Sequence, residues 1–485
     1  MTTPPGTLQL PRGRPPALLL GGGAALAGAL GAVALQAVPL KALAALVGAG
    51  ALVAIVLLSG RPRRLLLGLL VASITLDLKT IQAFHTDHTG GAAGVVITFA
   101  MVLLVPLVTM AIADHVSRRT AEAREPLPAG AFWMPLVPLA CTLPSLLHTQ
   151  HVDLSLLELL RQLCFYGLYL YFALTIRRQD LPLVVGCFLG SVLIEVPFAA
   201  LQMVDPTIQI SIGGQQSETL AEQVKGGGVL GRISGTQTAP NLLGSYLTIL
   251  LPTALLCALC KQVPSRLRAI AWIALVAGGL MLLLTFSRGS WSGIAVALPI
   301  VLLLAAARGW LTPSQTVTVL GMLVVAGLVF LALPPVQERL FGSDPSNVDF
   351  RLRLNQVATA MWQSQPVTGV GLNTFVETAP KFDVFNIATS HLPAHNIYLL
   401  TLAEAGVIGL VGLLVNLGWQ LWRSWKASAS GDPLGSLLAI GMVGALVALY
   451  VGELASFSTR IDADVGAVAV LFGCALGAAR RPRPA

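Results

Sequence analysis

The amino-acid sequence predicts an all-α protein, a polytopic transmembrane helical bundle, and two observations predict it. The chain has 485 residues, of which 55% are hydrophobic and only 11% are charged, whereas about a quarter of the residues of a soluble domain are charged. Apolar runs of about 20 residues, the length that crosses a bilayer as a helix, recur along the whole sequence. Helices are expected because lipid requires each backbone polar group of such a run to be bonded within its own segment.

The apolar runs predict fourteen spans, and a count of about 12 to 14 covers the uncertainty in their limits. They are 17–36, 40–59, 64–78, 95–113, 130–147, 155–176, 181–201, 239–260, 269–286, 291–307, 316–334, 397–421, 435–456 and 465–479. Residues 1–16 are too polar for the apolar core of a signal peptide, so the run at 17–36 is expected to be a retained first span.

The basic residues give the orientation of the bundle. With a cytoplasmic N-terminus, 19 of the 30 Lys and Arg residues fall in the inner segments, as the positive-inside rule requires. The formal charge of +8 therefore reflects membrane topology rather than nucleic-acid binding. Both tails, 1–16 and 480–485, are expected to be cytoplasmic.

The six cysteines are scattered through the apolar runs, so a disulfide framework is not expected. Cys257 and Cys260 form a CxxC pair with no second pair or histidine beside it, and packing is a better explanation than metal or redox chemistry.

Two outer segments are long, 203–238 and 335–396. The first holds the glycine-rich stretch 226–235, which lacks the Lys-Ser/Thr of a phosphate-binding P-loop. It is either a plain flexible loop or a loop whose backbone approaches a ligand. The second divides the bundle at 17–334 from the C-terminal helices at 397–479, and we expect it to be a structured, extracytoplasmic catalytic loop.

A helix is predicted inside this second loop. Asp344 and Pro345 are suited to cap and start it. Five apolar residues recur at helical spacing and form one stripe: Leu354, Val357, Ala358, Met361 and Trp362. Pro366 stops the helix, Gly369 and Gly371 make a turn, and the simplest interpretation is a membrane-parallel helix resting on the bundle.

Eleven basic residues lie outside the inner segments, most of them on the outer half: Lys41, Lys79, Arg161, Lys225, Arg232, Arg288, Arg339, Arg351, Arg353, Lys381 and Arg460. They oppose the orientation signal and so need another explanation. Arg288 lies in a very short turn, Ser287-Arg288-Gly289, between two apolar runs. Its side chain either snorkels to a lipid phosphate or has a functional role. Arg351 lies beside the apolar stripe of the predicted loop helix.

Four further residues are candidates for binding substrate: Arg161, Arg232, Arg353 and Asn396. Arg161 is a charged residue inside a predicted membrane span, and such residues are expected to have a function. The alternative is an ion pair with Glu158, three residues earlier on the same helical face.

His395, at the mouth of the twelfth predicted span, is the candidate proton acceptor, since histidine is the side chain best suited to take a proton near neutral pH. His391 is a nearby competitor. Guanidinium groups bind phosphate oxygens in pairs and stay charged, so arginines could neutralise a diphosphate leaving group in the role often given to Mg²⁺. Asp462 and Asp464 could ligate a metal but are better explained as a solvated turn, and no metal or cofactor is expected.

These residues resemble a known family. Ser287-Arg288-Gly289, Arg351, Pro366-Val-Thr-Gly-Val-Gly-Leu-Asn-Thr-Phe375, His395-Asn-Ile-Tyr-Leu and Glu404-Ala-Gly406-Val-Ile-Gly409 are similar to the motifs of the O-antigen ligase and polymerase superfamily, over residues 270–415. The resemblance implies a GT-C-like bundle in the bacterial inner membrane. It also implies His395, Arg288 and Arg351 as catalytic residues, and the fourteen predicted spans exceed the family's usual count of about twelve.

The resemblance further implies metal-independent, inverting transfer of a glycan from undecaprenyl diphosphate to an acceptor hydroxyl on the periplasmic side. An O-antigen ligase, which uses lipid A–core as the acceptor, is the first interpretation. A polymerase that extends a polysaccharide and an enzyme that modifies a protein hydroxyl are the alternatives. The competing class is a flippase for lipid-linked oligosaccharides. An enzyme is favoured because the basic residues outside the inner segments crowd one face rather than line a path through the bilayer.

Overall fold

A computed structural model describes residues 59–83, 85, 88–116, 125–205, 208, 210–212, 215–216, 221–223, 229–342, 345–387 and 391–480. The chain divides into two compact units, Met1–Leu65 and Leu66–Ala485. Only residues 59–65 of the first unit are described, so the predicted spans 17–36 and 40–59 and the two tails fall almost entirely outside the described residues.

Helices dominate the described chain and confirm the predicted fold class. They are α1 Pro62–Thr75, α2 Phe99–Val116, α3 Val137–Thr142, α4 Val152–Thr175, α5 Leu181–Val204, α6 Pro240–Leu259, α7 Ser265–Leu284, α8 Arg288–Ala307, α9 Pro313–Ala332, α10 Pro334–Phe341, α11 Pro345–Ser364, α12 Phe375–Thr378, α13 Ile397–Ala427, α14 Pro433–Gly452 and α15 Asp462–Ala479.

Nine helical segments in the described chain are long and apolar enough to cross a membrane. They are Phe99–Val116, Arg178–Val204, Pro240–Leu259, Ser265–Leu284, Arg288–Ala307, Pro313–Ala332, Ile397–Ala427, Pro433–Ala455 and Asp462–Ala479. Each coincides with a predicted span, and the protein is a multi-pass membrane protein. The central helices α6 and α14 are almost wholly buried, whereas α9 exposes nearly all of its apolar side chains.

Three predicted spans look different in the structure. The run at 64–78 forms the short helix α1, and the run at 155–176 forms α4, which carries the charges of Glu158 and Arg161 in its interior. The run at 130–147 is not one helix but α3 flanked by 3₁₀ turns at Met134–Leu136 and Leu143–Leu147. Prolines at 135, 138 and 144 explain the breaks, because proline lacks the N–H that helix continuation needs.

The β-structure of the described residues consists of three small antiparallel hairpins. Strand β1, Lys79–Ala83, pairs with β2, Gly94–Thr98, so α2 begins four residues later than the predicted run at 95–113. Within the loop at 203–238, β3 Ser211–Ile212 pairs with β4 Gln215–Gln216, and β5 Ala221–Gln223 pairs with β6 Val229–Gly231.

Helix α11 confirms the stripe that the spacing predicts. Leu354, Val357, Ala358 and Met361 are at most 2% exposed, and Trp362 is half-buried. Val357, Ala358 and Met361 belong to a buried core that includes Phe375 of α12 and Leu400 of α13. The apolar face of α11 therefore packs on protein, and Asp344, its predicted cap, lies outside the described residues.

Helix α13 is interrupted at Gly406, whose φ of +63° and ψ of −165° are not helical. The turn after α11 bonds to the interruption: Val370 N–H donates to the Ala403 carbonyl at 3.0 Å, and Val407 N–H donates to the Pro366 carbonyl at 3.0 Å. Backbone groups freed inside a membrane helix must find such partners. The Pro366–Gly371 turn is thus built into the break in α13, close to where that helix begins.

Candidate active site

The turn between α7 and α8 is fixed by its own side chains. Ser287 caps α8, with its Oγ accepting from the Ser290 N–H at 3.4 Å. Trp291, in the first turn of α8, donates from Nε1 to the carbonyl of Leu282 in α7 at 3.0 Å. These bonds fix the residue at which α8 begins, and they therefore fix the position of Arg288, its first residue.

Close approach of α8 and α14 also positions Arg288. A Cβ at Gly289 would lie 3.1 Å from the Gly452 carbonyl oxygen, and a Cβ at Gly293 would overlap the Ala448 carbonyl. Small residues at these positions let the two backbones touch, as is common between membrane helices. The first turn of α8 therefore rests directly on the end of α14.

A cavity of about 250 Å³ lies beside this turn, and we call it the arginine cavity. Arg232, Arg288, Arg339 and Arg351 line it, and none of the described lining residues is Asp or Glu. The other polar lining residues are neutral: Asn241, Ser245, Thr248, Ser287, Ser290, Ser456 and Ser458. Four guanidinium groups in a wall without a carboxylate suit a polyanion such as a phosphate or diphosphate.

Two of the four arginines are oriented by the α7–α8 turn itself. Arg232 Nε donates to the Thr285 carbonyl at 2.9 Å, and Arg339 Nε donates to the Phe286 carbonyl at 3.0 Å. A guanidinium carries five N–H donors in a fixed plane, so one such bond sets the direction of the group. Successive carbonyls of one turn thus hold guanidinium groups from two distant parts of the chain.

His395 lies two residues before α13, and its protonation pattern follows from its contacts. Nδ1 is 3.1 Å from the Pro393 carbonyl oxygen. Because a carbonyl only accepts, Nδ1 carries the proton in the neutral ring, and Nε2 carries the lone pair. The ring packs edge-on against Phe457, with centroids 5.1 Å apart. Phe457 stands between Ser456 and Ser458, which line the arginine cavity.

The ring of His395 is held neutral. Burial and the charge of Arg351 lower the pKa of His395 to about 4, against the opposing effect of the Pro393 carbonyl. A neutral imidazole at pH 7 is able to accept a proton. Arg351 is thus the residue that connects the histidine to the arginine cavity.

The remaining sequence candidates do not join this cavity, with the exception of Arg232. Arg353, two residues from Arg351 on α11, pairs with Asp349 at 2.7 Å and lies over the Phe385 ring. Asn396 caps α13, its Oδ1 accepting from the backbone N–H groups of residues 398 and 399. Arg353 is therefore turned to another surface, and Asn396 has a structural role at the helix start.

Arg161 belongs to a second cavity of about 230 Å³, between α4, α13 and α15. Its guanidinium bonds to Glu158 at 2.8 and 2.9 Å, as the spacing on α4 indicates, and also to Asp462 at 2.9 Å. Asp462 in turn pairs with Lys79 at 2.9 Å. The Asp-x-Asp pair of the sequence is therefore not a solvated turn: Asp462 and Asp464 are both buried, and Asp462 is held between two cations.

A protein-family model matches a segment that includes Arg288, Arg339, Arg351 and His395. The family model described as O-antigen ligase matches residues 273–414. This match confirms the resemblance to the O-antigen ligase and polymerase superfamily. It supports an O-antigen ligase- or polymerase-like function, and hence an enzyme that acts on glycans at a membrane. A comparison with curated proteins finds no match to this chain.

Sequence reasoning missed Arg339 as a site residue. The signal was present, since Arg339 is one of the eleven basic residues outside the inner segments and follows Pro334 and Pro335, which start a short helix. Nothing local shows that this helix returns Arg339 to the turn at Phe286, 53 residues earlier.

Proposed function

We propose that the protein is a metal-independent, inverting glycosyltransferase that moves a glycan from undecaprenyl diphosphate to an acceptor hydroxyl at the periplasmic face of the bacterial inner membrane. The observation that supports it most is the arginine cavity, with four guanidinium groups and no carboxylate among its described lining residues. The carrier lipid and the stereochemical outcome come from the family resemblance.

The arginine cavity would hold the diphosphate of the donor. As the bond between the anomeric carbon and the phosphate oxygen breaks, its electron pair goes to the diphosphate, which gains negative charge. Arg288 and Arg351 are proposed to stabilise that charge, and Arg232 and Arg339 complete the wall. Donors fixed before the reaction stabilise developing charge without reorganisation.

His395 would act as the general base. Its Nε2 takes the proton of the acceptor hydroxyl while the hydroxyl oxygen bonds to the anomeric carbon on the face opposite the departing diphosphate. One displacement of this kind inverts the configuration at that carbon. The Pro393 carbonyl supports this role by keeping the proton of the neutral ring on Nδ1.

Transfer by the purified protein tests the proposal. We expect His395→Ala to lower kcat by about 10²–10⁴, the usual contribution of a general base. His391→Asn is the matched control, because asparagine tolerates the left-handed φ of +52° found there. The assay uses undecaprenyl-diphosphate-linked glycan and candidate acceptors, and an excess of chelator should leave the wild-type rate unchanged.

The products of that assay identify the acceptor. One added chain on a lipid acceptor indicates a ligase, a ladder of sizes indicates a polymerase, and a modified polypeptide indicates protein glycosylation. Full transfer by His395→Ala would remove the assigned base. A chelator-sensitive rate would contradict metal independence, and movement of the intact donor across the membrane without any transfer would favour a flippase.

A further inference from the structure

The loop that joins β1 to β2 packs against the segment that carries His395. A Cβ at Gly90 would overlap Pro393, and a Cβ at Gly91 would overlap the Asn373 side chain, so both glycines are needed for the approach. Thr89 Oγ1 donates to the carbonyl of His391. The loop therefore supports the 391–393 segment from the side of the β1–β2 hairpin.

His88 fastens this loop through both of its ring nitrogens. Nδ1 lies 2.7 Å from Glu377 Oε1, and Nε2 lies 3.0 Å from Asn373 Oδ1. The Asn373 amide cannot be reversed, because its Nδ2 donates to the carbonyls of Ala92 and Leu154 at 3.0 and 3.1 Å. Both partners of the ring are therefore acceptors, so His88 donates from both nitrogens and is an imidazolium.

The surrounding charges favour this protonated form. Burial alone would lower the pKa of His88, but the hydrogen bond and charge of Glu377, assisted by Asn373 and the charge of Glu404, raise it above the ordinary value. For Glu377, burial acts to raise the pKa, and the His88 hydrogen bond and charge, with a smaller effect of His151, lower it below its ordinary value. The ring and the carboxylate are thus an ion pair at neutral pH.

We call His88 with its two partners, Glu377 and Asn373, the clamp. The clamp connects to the proposed base on two sides. On one side, Asn373 and Glu377 flank the start of α12, which belongs to the same buried core as Ala394 and Ile397. On the other side, the loop after His88 presses on Pro393, whose carbonyl fixes the tautomer of His395. Loss of the imidazolium would loosen both supports of the 391–397 segment.

We propose that protonated His88 is a positioning residue that holds the His395 segment in its reactive geometry through Glu377 and Asn373. The part of this inference that concerns catalysis rests on the proposed function. Deprotonation of His88 leaves one ring nitrogen as a lone pair facing an acceptor oxygen, and that contact then repels rather than binds. Activity should therefore fall as the pH rises through the raised pKa of His88.

The pH dependence of kcat in Glu377→Gln tests the clamp. Gln keeps the shape of Glu377 but removes its charge, so the alkaline limb of kcat should move to lower pH by roughly one to three units. His88→Ala should lose that limb and lower kcat across the range, with KM little changed. His85→Gln is the matched control, because His85 lies on the same loop but pairs with Asp153 of α4, and its limb should stay in place.

A readout that needs no transfer separates this inference from the proposed function. The chain has seven histidines, so the ring signals of ¹⁵N-histidine-labelled protein in detergent can be assigned with single substitutions. The His88 signal should titrate above about pH 6.5, the ordinary histidine value, and the His395 signal should shift with it in wild type but at lower pH in Glu377→Gln.

A neutral His88 below that pH, or a His395 signal that is indifferent to the titration of His88, would overturn the clamp even in an active enzyme. An alkaline limb of kcat that stays at the same pH in Glu377→Gln would also overturn the clamp. Protein that transfers no glycan but shows both coupled titrations would contradict the proposed function and leave the clamp standing.

Discussion

At the scale of single residues, the charge of Arg351 connects the two halves of the proposed chemistry. Arg351 lines the arginine cavity and also lowers the pKa of His395, second only to burial. A donor diphosphate in the cavity brings negative charge to Arg351 and offsets its effect on the ring. Binding of the donor is therefore expected to make His395 a stronger base at the point where a base is needed.

This coupling predicts that kcat/KM and kcat decline at different pH values on the acid side. Neutral His395 is required, so kcat/KM, which reports the free enzyme, should fall as the pH drops through about 4. The acid limb of kcat, which reports the enzyme with donor bound, should lie at higher pH. Rate measurements between pH 3.5 and about 7, the range of ordinary carboxyl and histidine titrations, check this, and coincident limbs would contradict the coupling.

At the scale of elements, the interruption of α13 explains the Glu404-Ala-Gly406 sequence in physical terms. Glu404 Oε1 accepts from the Phe375 N–H at 3.2 Å, and its other oxygen pairs with Arg460. Gly406 turns the backbone into a conformation that essentially only glycine adopts. Together they join the start of α12, the Pro366–Gly371 turn and α13 into one support for the residues that precede Ile397.

Gly406→Ala should therefore destabilise the protein more than an ordinary helix substitution. A side chain at this φ costs about 1–3 kcal/mol, and its Cβ would also overlap the Val367 backbone. Gly418→Ala on the same helix is the control, because no atom lies within 4 Å of its added Cβ. Thermal unfolding in detergent should show a lower midpoint for Gly406→Ala only, and equal midpoints would contradict the structural account of the break.

The elements also show what the sequence could and could not predict. The buried stripe of α11 follows from spacing alone, because Leu354, Val357, Ala358 and Met361 repeat with the period of a helix. The break in α13 does not, because Gly406 in an apolar run is equally consistent with close helix contact. Only the distant carbonyl of Pro366, bonded to Val407, distinguishes the two.

At the scale of the whole molecule, the arginines outside the inner segments lie in two kinds of environment. Arg161 is neutralised by Glu158 and by Asp462, which is 301 residues away in sequence. Arg288 and Arg351 instead meet in a cavity without a described carboxylate. Since both kinds lie in or beside apolar runs, sequence reasoning could not separate them, and it grouped Arg161 with the substrate-binding residues. Partners so remote in sequence are set by tertiary packing.

The proposed topology places the 335–396 segment, which contains α11 and α12, outside and the α8–α9 turn inside. Lys381 and Ser314, which lies in the first turn of α9, are both exposed in the structure, so Lys381→Cys and Ser314→Cys test it. In spheroplasts, a membrane-impermeant maleimide should label the first variant above the wild-type background and the second only after permeabilisation. Wild type controls for the six native cysteines, and the reverse labelling pattern would invert the assignment of the site to the periplasmic face.

The most direct test of the central claim, that the arginine cavity stabilises a diphosphate leaving group, is the kcat of three single Arg→Lys variants with saturating lipid-linked donor. A lysine keeps the charge but loses the paired donors, so Arg288→Lys and Arg351→Lys should each lower kcat by about 10²–10³. Arg353→Lys, two residues away on the same helix and paired with Asp349, should stay near wild type. Wild-type kcat in both Arg288→Lys and Arg351→Lys would contradict the claim.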